Sequence, residues 1–449
     1  MPHSDVLIVG AGFSGLIAAR QLRAAGKSVR ILEARERPGG RIKPGSIAGV
    51  TIDLGGMWVG TEQKRLRALV DEFGLTTYPT WLEGECAIEM FERVTRCPRE
   101  DFAPALPLSA KIEYALLDKK LKAMIAAVPA DNPAAAPKAA EWDSMSLGEW
   151  MRRNVRTRGL KLMLELVTES VFCAEPGDVS LLHWLFYMKS GGGFDRMISA
   201  EPGGAQHLLV EGGLHQAAAR LAAELADAIE YEAPVRSIEQ DEGGVRIATA
   251  KGDYTAPRAI VAIAPTLANG IVFTPPLPQS RDALHQRMPM GSVIKCWIAY
   301  DRPFWRDTGL NGFVFSDKSP FSPAFDVSPP GGPGLIAGFF DARDAETWSG
   351  RTPEERKLAV VELLARTLGE QARNPIDYAD ADWTQETWSR GCYAAYAPPG
   401  VLTRAGHALR APCGRIHWAG TETATFASGY VEGALEAGER AAAEVAALA

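Results

Sequence analysis

A six-residue stretch near the start of the chain, Gly10-Ala11-Gly12-Phe13-Ser14-Gly15, constrains the fold more than any other feature. It follows directly on Asp5-Val6-Leu7-Ile8-Val9, a continuous apolar run suited to a strand buried in a parallel sheet. A helix rich in Ala, Leu and Arg is expected from about residue 13 to 25, stopped by Gly26. Residues 29–33 then supply a second strand that ends on Glu33. Glycines at this spacing say little alone. After a strand, at the opening of a helix and ahead of an acidic strand end, they have a mechanical reading. Gly10, Gly12 and Gly15 allow a tight turn and close approach of backbone to a pyrophosphate on the positive helix N-terminus, and Glu33 accepts hydrogen bonds from ribose hydroxyls. The expected fold is α/β, with a Rossmann-like dinucleotide-binding domain.

Two further glycine motifs choose the dinucleotide. Pro38-Gly39-Gly40-Arg41-Ile42 comes directly after the ribose position, and Asp53-Leu54-Gly55-Gly56-Met57-Trp58 follows it. A nicotinamide domain needs neither. A flavin needs both, because its second phosphate and ring cross the domain and must be approached by backbone. The expected cofactor is therefore FAD. Arg41 is either a guanidinium for the pyrophosphate or an arginine at the surface.

With 449 residues the chain exceeds one hydrophobic core, so two joined domains are expected. Residues 1–80, 205–285 and 385–449 read as the FAD-binding domain, discontinuous in three segments. Residues 81–204, mainly helical, and 286–384, mainly strands, read as an α+β substrate-binding domain. A net charge of −7 argues against a nucleic-acid surface, and no polybasic run suggests a membrane contact. The six cysteines show no CxxC pair or His/Cys cluster at zinc spacing, which points to no metal and a reducing compartment. No apolar run is long enough to span a bilayer, and the first strand begins too early for a leader peptide. A cytoplasmic protein is the expectation.

The second half carries a denser signature. Ala419-Gly420-Thr421-Glu422-Thr423-Ala424 is followed by Ser428-Gly429-Tyr430-Val431-Glu432-Gly433-Ala434. Upstream stands Ser389-Arg390-Gly391-Cys392-Tyr393. With the N-terminal motifs, these stretches make the chain resemble the flavin monoamine oxidase family over nearly its whole length. The resemblance implies that Ser14, Glu33, Ala34, Arg35, Gly40 and Arg41 hold the ADP half of FAD. It places Gly56, Met57 and Trp58 beneath the flavin and ribityl chain, and Val235 against the adenine. Gly420, Glu422, Gly429 and Val431 would hold the pyrophosphate and ring, with the last helix aiming its N-terminus at the flavin. Tyr393 and Tyr430 match the family's upright aromatic pair that confines a neutral amine. Lys295, inside the apolar strand Gly291-Ser292-Val293-Ile294-Lys295-Cys296-Trp297, matches a lysine that holds a water at the flavin; a snorkelling surface lysine is the alternative. Trp383 matches a tryptophan packed beside the ring. Cys392 stands where mammalian members carry a thioether to the flavin, but Arg390 replaces the first glycine of the family's Gly-Gly-Cys-Tyr run, so covalent attachment and a free buried thiol both stay open.

By the same resemblance, the substrate cavity is lined by residues 167–173, 197–198 and 205–206, including Val167, Ile198 and Gln206, and by Tyr187 or its neighbours. Glu169 either attracts a distant cationic group, faces solvent or pairs with an arginine. Phe426-Ala427 departs from the larger aromatic usual before Ser-Gly-Tyr. The implied reaction is oxidative deamination of a primary or small secondary amine, through an imine, to an aldehyde or ketone with ammonia and hydrogen peroxide. No hydrolytic motif of the GxSxG or HExxH type is present, so the cofactor carries the chemistry. Polyamine, cyclic-amine and L-amino-acid substrates, or a dehydrogenase without oxygen, remain alternatives, as does a flavoprotein without turnover. The implied partners are a small amine and O2, with a homodimer as the family's common assembly.

Overall fold

The computed structural model describes residues 4–98 and 103–448. Its centre is a five-stranded parallel sheet in the order Ile229–Glu230, Val29–Leu32, Val6–Val9, Arg258–Val261, Ile416–Trp418. Strands from three distant parts of the sequence thus lie side by side. The reason is burial on both faces: Val6, Leu7, Ile8 and Val9 are all buried, and each neighbour offers a matching apolar run. The first helix, Phe13–Ala24, packs on the last, Val431–Ala446. Gly438 makes that contact close, since a Cβ there would lie 2.3 Å from the Ser14 carbonyl oxygen.

A seven-stranded mixed sheet forms the second body, in the order Asp377–Asp382, Val293–Tyr300, Gly334–Asp341, Ala324–Asp326, Leu310–Ser316, Glu85–Met90, Arg93–Cys97. The helix Pro353–Leu368 covers one face, opened by a Thr352/Glu355 capping box. Helices between Leu108 and Ile198 stand against the other side of the site. One expectation is corrected. Residues 85–97, expected within a helical block, form a hairpin whose turn residues Phe91 and Glu92 both have positive φ. Glycine or asparagine normally marks such a turn, so no turn residue announced it. An antiparallel insert, Val235–Gln240, Val245–Thr249 and Gly252–Ala256, also interrupts the second nucleotide-domain segment. No helix among the described residues is long and apolar enough to cross a membrane.

Candidate active site

The glycine turn assigns a different job to each glycine. Gly10 sits at φ +99°, a conformation that side chains rarely adopt. A Cβ on Gly15 would fall 2.0 Å from the Gly10 carbonyl oxygen, so this glycine sets how close the helix comes to the strand. A Cβ on Gly12 would meet nothing within 4 Å, because Gly12 borders open space. Glu33 is buried and accepts from the Ala11 N–H (2.7 Å) and the Arg35 N–H (2.9 Å), which aims its carboxylate at the mouth of the turn. Ser14 Oγ accepts from the Gly420 N–H at 2.9 Å and ties the first turn to the C-terminal segment.

These groups line one cavity of about 570 Å³. It runs from Gly10, Gly12, Ser14, Glu33, Arg35, Gly40 and Arg41 past Gly56, Met57, Trp58 and Trp383 to Cys392, Tyr393, Gly420, Gly429, Tyr430 and Val431. Val167, Ile198 and Gln206 close the far end. Four expected cofactor residues do not line it. Gly15 serves packing, Ala34 and Val235 lie outside the wall, and Glu422 sits behind Arg41. Arg41 itself is not a free phosphate clamp. Its guanidinium is held by Glu422 at 2.7 Å and donates to the Tyr393 carbonyl oxygen at 2.8 Å. Burial opposes both charges, but each outweighs that penalty for the other: Glu422 raises the arginine's pKa and Arg41 lowers the carboxyl's. A locked guanidinium still presents its outer edge to the cavity, and the lock joins the first segment to the Cys392-Tyr393 segment.

Lys295 is buried on the strand Val293–Tyr300, which lies next to the edge of the seven-stranded sheet and whose eight residues are all buried. Strand alternation turns Ile294, Cys296 and Ile298 into the core under the covering helix and sends Lys295 and Trp297 the other way. The amine donates to the Asp53 carbonyl (2.8 Å) and the Gly55 carbonyl (2.6 Å) and touches Met57 Sδ at 3.0 Å. Burial pushes it down to about 7, with Asp53 pulling the other way. The surface-lysine alternative is therefore excluded, and the expected partner proves to be backbone. Trp383 Nε1 donates to the Leu54 carbonyl at 2.9 Å, pinning the same glycine segment.

Tyr393 and Tyr430 both face the cavity, each packed against another aromatic ring of its wall. Phe339 meets Tyr393 edge-on with centroids 5.8 Å apart, and Tyr187 lies 6.4 Å from Tyr430. Burial raises the pKa of both phenols, so they stay neutral. Cys392 lines the cavity with its thiol pushed up to about 12 by burial, against the pull of Arg41 and Arg35. Arg390 adopts φ +57°, the left-handed conformation the missing glycine would favour, so the departure leaves the local backbone path intact. Glu169 is off the cavity wall, beside Glu175, Glu165, Asp344 and Arg343, and burial among those acids raises it to about 7. Phe426 likewise lies off the main cavity. Sequence reasoning missed the apolar floor supplied by Phe313, Phe315 and Phe339, although the Phe-Val-Phe alternation was a usable signal. It also missed the mouth at Lys111, Tyr114 and Asp195.

The pattern of the flavin-containing amine oxidoreductase family matches residues 13–446. The chain belongs to that family. It is 40% identical over 445 residues to the putative flavin-containing monoamine oxidase AofH of Mycobacterium tuberculosis, covering 99% of this chain and 97% of that protein. Human flavin-containing amine oxidase B is 39% identical over 98% of this chain and 86% of its own length. Among solved structures, cyclohexylamine oxidase from Brevibacterium oxydans superposes with a TM-score of 0.94 at 34% identity, covering 100% of this chain and 99% of that one. Putrescine oxidase bound to putrescine superposes with a TM-score of 0.94 at 32% identity and 99% coverage of each chain. The amine oxidase uses FAD. Its own residues fit that group: a backbone cradle at Gly12 that a Cβ would fill, a paired carboxylate at the ribose position, and a buried Trp58 Nε1 with no hydrogen-bond partner among the described residues.

Proposed function

We propose that this amine oxidase deaminates a monoamine with an apolar body, primary or small secondary, and passes the electrons to O2. One observation carries the reading: a single cavity joins the FAD cradle to an apolar chamber flanked by Tyr393 and Tyr430, with Lys295 buried on its wall. Among the described lining residues the only carboxylates are Glu33, engaged at the ribose end, and Asp195, 74% exposed at the mouth. No acid stands inside to hold a second ammonium, which favours a monoamine over a diamine.

Bound FAD supplies the two-electron acceptor. Tyr393 and Tyr430 confine the amine between π faces and align its α-carbon. The dry chamber lowers the substrate ammonium's pKa, so the amine enters the reaction neutral. Lys295, its amine pushed down to about 7 by burial, can give or take a proton at Nζ near neutral pH. The positive N-terminus of Val431–Ala446 faces the cavity through Val431 and stabilises negative charge there. Gly10, Gly12, Ser14, Glu33, Arg35, Gly40 and Arg41 are read as the ADP-half contacts; Gly56, Met57, Trp58, Trp383, Gly420, Gly429 and Val431 as those of the rest; and Cys392 as the covalent attachment point. The division into an FAD-binding domain at 1–80, 205–285 and 385–449 and a substrate domain between them accords with the two sheets. Anaerobic mixing with alkylamines, arylalkylamines, diamines and amino acids tests the reading. Bleaching of the flavin absorbance by apolar monoamines is expected, with peroxide formed in air. Bleaching by diamines alone would overturn the substrate assignment, and silence across the panel would overturn the activity.

A further inference from the structure

Cys86 and Cys97 face each other across the outermost hairpin of the seven-stranded sheet, where the register makes them direct partners. Directly opposed residues send their side chains to the same face of a sheet, and here that face is the core shared with Ile88 and Met90. Both cysteines are buried thiols. Their sulfurs lie 3.3 Å apart, and Cys86 Sγ also donates to the Cys97 carbonyl oxygen at 2.9 Å. Neither lines the flavin cavity, so the reaction as described does not use them. Opposed residues of an antiparallel pair have Cα atoms about 4.5–5.5 Å apart, inside the span of about 4.4–6.8 Å that a disulfide bridges. From the present contact to a bond of about 2.05 Å the sulfurs must close by little more than an ångström, within reach of side-chain rotation.

We propose that Cys86 and Cys97 are a reversible disulfide site, closed by the hydrogen peroxide that amine oxidation releases. In that step each sulfur gives up its hydrogen, one S–S bond forms, the peroxide O–O bond breaks and two waters leave. The cysteines are oxidised and the peroxide is reduced. A thiolate is the species that attacks peroxide, and the hydrogen bond to Cys97, with burial behind it, holds the Cys86 thiol well above its ordinary value. The bond therefore closes when the strand opens. Arg93–Cys97 is the edge strand, paired on one side, and Arg93, Val94 and Arg96 are exposed, so it is the part of the sheet that local opening reaches first. Once formed, the bond fastens this edge to the strand that carries Met90 into the cavity wall. Only the source of the oxidant rests on the reading that electrons pass to O2.

The test treats reduced, FAD-bound enzyme in three arms: added hydrogen peroxide, an apolar monoamine in air, and that amine with catalase. Each sample is unfolded in N-ethylmaleimide and digested with trypsin. Cleavage after Arg93 and Arg96 separates the two cysteines, so the peptide ending at Arg93 stays joined to the one beginning at Cys97 through sulfur alone. The joined pair, lighter by two hydrogens than its separate peptides, should dominate in the first two arms. It should fall to the reduced level with catalase and come apart in dithiothreitol. Cys86→Ala should leave Cys97 open to the maleimide in every arm, and Cys97→Ala serves in its place where that variant does not fold. Maleimide on both cysteines after added peroxide would overturn the proposal, as would a sulfinic acid on either in place of the bond. If added peroxide joins the peptides and the amine in air does not, the site stands and the O2 reading fails. If the amine yields peroxide and neither arm joins them, the site alone fails.

Discussion

Replacing Lys295 with methionine isolates the consequence of burying an amine in the middle of a sheet. Burial pushes this group from an ordinary 10.5 down to about 7. Between those values the unfolded chain holds the proton and the folded chain does not, so stability climbs with pH across that window. Below the window the folded state carries the buried charge and the full penalty is present; above it the penalty is gone. At about 1.4 kcal/mol per pH unit the whole interval amounts to ~5 kcal/mol, and the step from pH ~7 to pH ~9 to ~2 kcal/mol. Methionine has a similar reach and no proton, so the variant lacks this increment while every other titrating group is shared. It also orphans the Gly55 carbonyl at about 1–3 kcal/mol, while the Asp53 carbonyl keeps the Trp297 Nε1 donor at 3.1 Å; this loss is the same at both pH values and cancels in the difference of differences. The assay is urea unfolding of the FAD-bound wild type and variant at the two pH values, followed by flavin release and tryptophan emission. Wild type should gain ~2 kcal/mol more than Lys295→Met on going from pH ~7 to ~9. Equal gains would refute the claim that Lys295 is held near neutrality by burial.

Other substitutions probe the remaining contacts. Gly12→Ala should fold normally yet lose FAD, because its Cβ enters open cavity, whereas Gly15→Ala should give no folded flavoprotein, because its Cβ falls 2.0 Å from a carbonyl oxygen; the ratio of flavin to protein absorbance reads both. Glu422→Gln strips a buried partner from Arg41 and should cost about 3–5 kcal/mol, measured as a lowered thermal midpoint. The Glu422 carboxyl is depressed, so its contribution is present above the ordinary carboxylate value and should fade as pH falls through the depressed one. Acid precipitation should leave the yellow colour in the pellet for wild type and release it for Cys392→Ala; colour in the wild-type supernatant would remove the covalent bond from the proposal. Arg281, buried with no acidic partner among the described residues and stacked 3.5 Å from the Trp418 ring centroid, donates to the Ala408 and Leu409 carbonyls, so Arg281→Ala should lower stability by about 2–4 kcal/mol.

Local sequence decided the nucleotide end. A strand, a glycine turn and an acidic strand end within thirty-odd residues specify their own geometry, because each glycine answers a backbone constraint that its neighbours create. Lys295 was legible for a similar reason: an amine in an apolar strand must find partners. The nature of those partners was not legible, since Asp53 and Gly55 offer carbonyls that every residue possesses. The Phe91-Glu92 turn also escaped, because its positive φ angles are imposed by the paired strands on residues that do not ask for them.

What the sequence determined alone was the α/β nucleotide fold and the flavin, consequences of short-range backbone geometry and of matched apolar runs. Tertiary structure decided the rest. It turned Arg41 from a free phosphate contact into half of a buried pair with Glu422, withdrew Glu169 from the cavity wall, and brought Cys173 against Asp341. Those outcomes depend on which side chains from remote segments arrive at the same few ångströms. Charge and hydrogen bonding act through space, so their effects follow proximity in the folded chain and leave no periodic trace along it.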